Sequence, residues 1–247
     1  MVPARAIILA AGSGSRLRPH TADRPKCLLE VDGQTLIERQ IESLARCGVS
    51  DVVAVVGYRA EFVRRIIGNR VRYIESSRYR ETNSLYSLWE ARDELERGAL
   101  VMNSDVLAAP PLFERLCNDA AQDAVLVDRD QACEVEEMRV TIQGDFVVDF
   151  GKDLPPEVSH GENVGMIKVG AEAARRLRVC LDRLVADGHE GAWSPLAFRE
   201  LAREWPLHVV ATDGLPWIEI DYPEDLERAR RDIAPAILAL EAVARVG

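Results

Sequence analysis

Residues 9–29 read LAAGSGSRLRPHTADRPKCLL. They follow directly on an apolar run, residues 6–10 (AIILA), of the kind that forms a strand buried on both faces. The strand gives way first to glycines, then to basic residues, then to Pro-Lys. Gly12 and Gly14 allow backbone conformations closed to other residues and let N–H groups approach phosphate oxygens with no Cβ in the way. Arg16 and Lys26 supply cationic donors for a triphosphate and for charge developing in a transition state. A glycine pair taken alone serves an ordinary turn as well. The spacing lacks the G-x-x-x-x-G-K-[ST] of a Walker loop, and Leu17 stands where a third glycine of G-x-G-x-x-G belongs, so both of those readings fall.

Outward from this loop the chain alternates between strand and helix. Ile37, Ile41 and Leu44 recur at helical spacing within 35–46, and DVVAVV at 51–56 is a second buried strand. A helix near 59–67, a strand at 71–74, a helix at 84–95 and a strand at 99–103 continue the pattern. Such alternation predicts right-handed crossovers in a doubly wound sheet. Beyond Pro110 a helix near 111–119 leads to shorter β-like runs at 124–127, 138–142 and 145–150, which read as hairpins. A strand at 163–169, helices near 171–186 and 194–203 and late strands at 207–211 and 217–220 follow. The Ala- and Arg-rich end from Pro223 reads as one or two helices interrupted at Pro235. With no repeat or linker, the expectation is a single α/β domain, a Rossmann-like mixed and mainly parallel sheet flanked by helices. Residues 1–110 form its nucleotide-binding half, 111–222 an acceptor-binding half with a small β-hairpin region, and 223–247 a helical segment that packs on its own domain or on a second copy in a homodimer.

The composition narrows the partners. Against 31 Lys and Arg stand 41 Asp and Glu, a net charge of −10, which argues against an extended footprint for nucleic acid or an anionic membrane. An anionic substrate must therefore be held locally. Cys27, Cys47, Cys117, Cys133 and Cys180 are scattered, with no C-x-x-C pair, and are expected as reduced thiols in a cytoplasmic protein. No run approaches the roughly 20 apolar residues of a membrane span, and no targeting leader is recognisable.

The string as a whole, from Leu9 through Thr21 to Pro25, Lys26 and Leu28, resembles the signature L-A-A-G-x-G-x-R-(L/M)-x-P-x-T-x-x-x-P-K-x-L of the sugar-phosphate and cytidylyl nucleotidyltransferase superfamily. The resemblance implies a loop of Leu9, Ala10, Ala11, Gly12, Gly14, Ser15 and Arg16 that wraps the phosphates of an NTP, with Arg16 and Lys26 catalytic. It also implies an aspartate after a central strand that contacts nucleotide and Mg²⁺, matched by Asp105 in VMNSDV (101–106). A second acidic motif is matched by WIEIDYPEDL (217–226), where Glu219 and Asp221 alternate on one strand face and can reach the same metal. Read without the resemblance, Asp105 can equally begin a turn, Asp221 cap the helix at Pro223 and Glu219 line a solvated face.

Residues 75–92, ESSRYRETNSLYSLWEAR, resemble the N-(N/S)-x-Y-S-L-x-x-A segment of cytidylyltransferases acting on phosphocholine and 2-aminoethylphosphonate. By this resemblance Asn83 and Ser84 contact the nucleotide at a helix start, while Leu85, Leu88 and Trp89 read as a core stripe. Gly151-Lys152 and the stretch 161–168 (GENVGMIK) match further elements of that subgroup, making Lys152, Glu162 and Lys168 acceptor contacts. Lys152 could instead be a solvated hairpin lysine, and Lys168 could line a strand. Trp193, after a glycine-flanked stretch, is placed either to face an ammonium group, with Glu162 or Glu190 adding charge, or to pack on the next helix.

The implied activity is transfer of CMP from CTP to a small phosphate or phosphonate acceptor with release of pyrophosphate and Mg²⁺ as cofactor. The attacking oxygen is already ionised at neutral pH, so none of the four histidines is assigned a role. Two alternatives stand beside it: a sugar- or cyclitol-1-phosphate nucleotidyltransferase using UTP, dTTP or GTP, and a catalytically silent nucleotide-sensing module. Retention of Arg16, Lys26, Asp105 and Asp221 together counts against the latter.

Overall fold

The computed structural model describes residues 2–130 and 137–244; Cys133 lies outside them. Strands β1 (Ala6–Ala10), β4 (Val52–Val56), β5 (Arg72–Glu75) and β6 (Ala99–Asn103) alternate with helices α1 (Leu36–Arg46), α2 (Ala60–Ile67) and α3 (Ser84–Glu90). Two short strands, β2 (Glu30–Val31) and β3 (Gln34–Thr35), form a hairpin ahead of α1. Then come β7 (Val106–Ala108), α4 (Pro110–Asn118), β8 (Ala124–Asp128), β9 (Arg139–Gln143), β10 (Phe146–Gly151) and β11 (Glu162–Val169). The chain closes with α5 (Ala171–Ala186), α6 (Pro195–Glu204), β12 (Leu207–Ala211), β13 (Trp217–Glu219), α7 (Pro223–Arg228) and α8 (Ala234–Ala244).

Among the described residues nine strands make one sheet in the order β5-β4-β1-β6-β11-β8-β12-β10-β9. Its first four strands are parallel. The second half is more antiparallel than the expected mainly parallel sheet. β11 runs against both β6 and β8, and β10 against both β12 and β9. The β9–β10 pair is the expected hairpin.

Strand side chains alternate between two cores, as the period of two requires. Ala6, Ile8 and Ala10 pack with Val52, Ala54 and Val56 under α1, α2 and α4. Ile7 and Leu9 face the other way, with Val55, Leu85, Leu88 and Leu177, under α3 and α5. Helix α1 starts at a capping box in which Glu38 N donates to Thr35 Oγ1 (3.4 Å) and Thr35 N to Glu38 Oε2 (3.2 Å).

A third, smaller core matters most for the site. Leu17, Leu29, Val31 and Leu36, which flank the glycine loop, pack on Leu107, Ile218, Ile220, Leu226 and Ile237. The loop is thereby clamped to the β7–β13 ribbon and to the C-terminal helices. Ile237 is 2% exposed, so α8 packs on its own domain. No break occurs at Pro235: the π-helical turn Ala229–Ile233 joins α7 to α8, Ala234 N donating to Ala229 O, and Pro235 follows inside one helical run. Among the described residues no helix is long and apolar enough to cross a membrane.

Candidate active site

Leu9 and Asn103 are register partners on the adjacent parallel strands β1 and β6, so the glycine loop and the turn bearing Asp105 leave the sheet side by side at its carboxyl edge. Crevices at that edge are where open α/β sheets bind ligands. The ribbon then brings in the second acidic motif. β13 lies antiparallel to β7 with Glu219 opposite Val106, and Ile220 N donates to Asp105 O at 3.1 Å. Two segments more than a hundred residues apart in sequence are thus held in fixed register by backbone hydrogen bonds.

Lys26 is the centre of the arrangement. Its ammonium donates to Asp105 Oδ2 at 2.7 Å and to Asp221 Oδ1 at 2.5 Å, and its side chain is only 12% exposed. Arg16 reaches the other oxygen of Asp221 through Nη2 at 2.8 Å, while its guanidinium lies 5.1 Å from the ring centroid of Tyr222. Asn103 Nδ2 donates to Glu219 Oε1 at 3.2 Å. Burial opposes the charge of Lys26, but the carboxylates of Asp105, Asp221 and Glu219 outweigh it and raise its pKa. Burial also opposes ionisation of Asp221, yet Lys26 and Arg16 hold it below the usual carboxylate range. Glu219 goes the other way: desolvation first, then the charges of Asp105 and Asp221, push it up to about 8.

The loop geometry explains part of the glycine pattern. Gly14 has φ +59°, and a Cβ there would stand 3.1 Å from Lys26 Cβ and 3.3 Å from Thr21 Cγ2. Thr21, 1% exposed, donates from Oγ1 to Gly14 O at 2.7 Å and holds the turn closed. A Cβ on Gly12 would meet no atom of the described residues within 4 Å, so protein packing does not demand glycine there. Leu9, Ala10 and Ala11 are buried strand-end residues, whereas Ser15 and Arg16 are exposed at the loop.

The residues expected at an acceptor are assembled less tightly. Lys152 Nζ lies 4.9 Å from the centroid of the Trp193 ring, which is 49% exposed, and the charge of Lys152 is felt at Asp221. Trp193 belongs to a loop seated on the start of α3. Asn83 N donates to Glu190 O (2.9 Å), Leu85 N to Ala192 O (3.2 Å) and Ser194 N to Ser84 Oγ (2.8 Å). Asn83 is the N-cap of α3, its carboxamide oxygen accepting from Ser84 N at 2.8 Å. Asn83 and Ser84, expected at the nucleotide, therefore already serve to seat the Trp193 loop. Glu162 opens β11 opposite Arg139 and Asp128, toward the same edge of the sheet as Asn103.

Of the two places expected for Lys168, the geometry gives the strand. Its register partner on β6 is Leu100, three residues or about 10 Å down the strand from Asn103. It is 2% exposed and donates to Asp119 O at 3.1 Å, with its pKa lowered by burial. It lines the strand at the far end of the sheet and does not join the site.

Sequence reasoning missed Tyr222, Asn103 and Asp225. The last accepts from both Asp221 N (2.9 Å) and Tyr222 N (2.7 Å), fixing the turn that presents Asp221. An acidic residue in a first helical turn after Pro is a readable capping signal; the roles of Tyr222 and Asn103 depend on contacts with residues remote in sequence. Among the described residues no three His, Cys, Asp or Glu side chains are gathered as a ready metal cluster, because the Lys26 ammonium stands between Asp105 and Asp221.

Comparison with known proteins accords with this geometry. Residues 6–209 match the family described as the MobA-like NTP transferase domain, and the chain belongs to that family. It is 35% identical over 232 residues to the bifunctional IPC transferase and DIPP synthase of Rubrobacter xylanophilus, covering 90% of this chain but only 50% of that protein. It is 40% identical over 230 residues to the choline-phosphate cytidylyltransferase of Streptococcus pneumoniae, covering 91% of this chain and 96% of that one. A solved structure of CTP:phosphocholine cytidylyltransferase from Streptococcus pneumoniae superposes with a TM-score of 0.81 at 26% identity, over 93% of this chain and 98% of that one.

Proposed function

We propose that this protein transfers CMP from CTP to a small phosphate or phosphonate acceptor of the phosphocholine or 2-aminoethylphosphonate kind, releasing pyrophosphate. The observation that carries the reading is the knot of Lys26, Asp105, Asp221 and Arg16 at the mouth of the glycine loop. A buried lysine and an exposed arginine balanced by carboxylates, beside backbone that can approach phosphate, form a site for a polyphosphate chain. The similarity to the choline-phosphate cytidylyltransferase over nearly the whole of both chains supports the base and the acceptor class.

In this mechanism an ionised oxygen of the acceptor attacks the α-phosphorus of CTP, forming one P–O bond as the bond to the β-phosphate breaks and pyrophosphate departs with the electron pair. No proton need be removed from the nucleophile. Arg16 and Lys26 balance the charge that moves to the leaving group, and positioning supplies much of the remaining acceleration. Trp193 offers an exposed ring face to an acceptor ammonium, and Lys152 offers a cation to the acceptor phosphoryl group.

The donor set fits a hard divalent cation. Asp105 Oδ1 is buried with no hydrogen-bond partner among the described residues, and Asp105 and Asp221, which share the Lys26 ammonium, offer carboxylate oxygens, the donors Mg²⁺ takes. These two residues, with Glu219 beside them, would hold it once Lys26 turns to the phosphates. Bound there, Mg²⁺ would supply charge neutralisation across the phosphates.

A second reading, a cyclitol- or sugar-1-phosphate acceptor, has support in 28% identity to the N-acetylmuramate alpha-1-phosphate uridylyltransferase of Caulobacter vibrioides, over 95% of this chain and 98% of that one. The test is pyrophosphate release with Mg²⁺ across CTP, UTP, dTTP, ATP and GTP, each paired with phosphocholine, 2-aminoethylphosphonate, glucose-1-phosphate and inositol-1-phosphate. Turnover with CTP and an amino-alcohol phosphate or phosphonate is expected. Turnover with a cyclitol or sugar phosphate would shift the assignment to the second reading, and nucleotide binding without turnover on any pair would favour the silent sensor.

A further inference from the structure

Helix α1 buries a stripe of Ile37, Ile41 and Leu44, and Gln40 occupies a position on that stripe where an apolar residue would be expected. It is 1% exposed. Its Nε2 donates to Asn103 O and to Val106 O, both at 2.9 Å. These two carbonyls bracket the tight turn Ser104-Asp105, the one segment between β6 and β7. A single carboxamide therefore ties both ends of the turn that carries Asp105 to a rigid helix.

The helix is itself fixed to the loop that carries Lys26. Leu36 N donates to Leu29 O at 3.1 Å, and Leu28 packs with Ile37 in the same core. The path from Lys26 through the β2–β3 hairpin and α1 to Gln40 thus returns to Asp105, which Lys26 touches. Each end of the Lys26–Asp105 contact is referred to the same helix.

From this we infer that Gln40 is a positioning residue: it sets the distance between Asp105 and Lys26 without touching substrate. The inference rests on the reading of Asp105 as part of the reacting centre. A buried amide with both N–H groups on backbone carbonyls is specific to this task. No apolar side chain of the same size satisfies those carbonyls, and the turn would relax toward other donors once the amide was gone. Small displacements of a reacting group are enough to matter, a shift near 1 Å costing on the order of 10²-fold in rate.

The test is Gln40→Met, which keeps length and volume but removes both donors, read beside Leu44→Ala and Asp105→Asn in the full chain. Gln40→Met is expected to lower kcat by roughly 10- to 100-fold with KM for CTP unchanged. Leu44→Ala, a cavity on the same helix face, is expected to lower Tm at least as far while kcat stays at the wild-type level. Should Gln40→Met not fold, Gln40→Asn, whose amide falls a methylene short of the turn, is read in the same way. Wild-type kcat in the Gln40 variant while Asp105→Asn is inactive would overturn the role of Gln40 alone; wild-type kcat in Asp105→Asn would overturn the reading of the site beneath it. A matched loss of kcat in Leu44→Ala would reduce Gln40 to a general stabiliser and likewise overturn the inference.

Discussion

The side of the crevice proposed for the phosphates and the side proposed for the acceptor are built in different ways. On the proposed phosphate side one short stretch supplies the strand end, the glycine turn, Arg16 and Lys26; side-chain ion pairs hold Asp105 and Asp221 against those cations, and a backbone hydrogen bond ties the two acidic segments together. On the acceptor side Lys152, Glu162 and Trp193 come from three separate elements, and Trp193 is half exposed on a loop seated by the start of α3. The difference teaches that a site whose cations come from one contiguous stretch is fixed by that stretch, whereas residues gathered from separate elements can be changed one at a time.

The sharpest way to break this contrast is Lys26→Met. It should lower kcat/KM by on the order of 10²–10³ or more, because Asp105 and Asp221 lose the cation that balances them; steady-state pyrophosphate release with circular dichroism as a folding check would measure it. Asp105→Asn and Asp221→Asn come next, each expected to cost about 10²-fold in kcat with little change in fold. Near wild-type turnover in both would remove them from the reacting centre.

Trp193→Ala should act on the acceptor alone. A cation–π contact worth about 0.5–2 kcal/mol predicts a rise of roughly 2- to 30-fold in the acceptor's KM, with KM for CTP unmoved. Equal changes in both constants would mean that the two sides are not separable. Gly14→Ala should cost about 1–2 kcal/mol through its left-handed conformation and its approach to Lys26, or about tenfold in kcat/KM if felt at the site; comparing its Tm with its rate would divide strain from displacement. The smallest kinetic effect is expected from Lys168→Met. Turnover should match the wild type, while loss of the bond to Asp119 O lowers Tm by a few degrees, about 2–4 °C for each kcal/mol. A marked fall in rate would return Lys168 to the acceptor site.

Much of this was legible in the linear chain. AIILA and DVVAVV read as buried strands because both faces of the sheet are covered by helices, and 99–103, 171–186 and 207–211 match their elements to the residue. Strand β7 was not legible: three residues after a tight turn carry no periodicity of their own, and they are a strand only because β13 pairs with them. The two places left open for Lys168 could not be separated in the sequence for a related reason. The stretch GENVGMIK places it six residues beyond Glu162 on one strand, and a strand that long carries its two ends to opposite edges of the sheet.

The sequence alone determined the glycine loop, its cations and the two acidic motifs, since each is a local requirement: a left-handed turn, a buried strand end, a helix start. It determined the family by the same contiguous residues. Only the tertiary structure decided that Lys26 stands between Asp105 and Asp221, that Gln40 holds the turn beneath them and that Asn83 and Ser84 seat the loop of Trp193. Those facts follow from strand register and from which helix covers which face, and register is fixed by packing across the whole sheet, not by any segment read by itself.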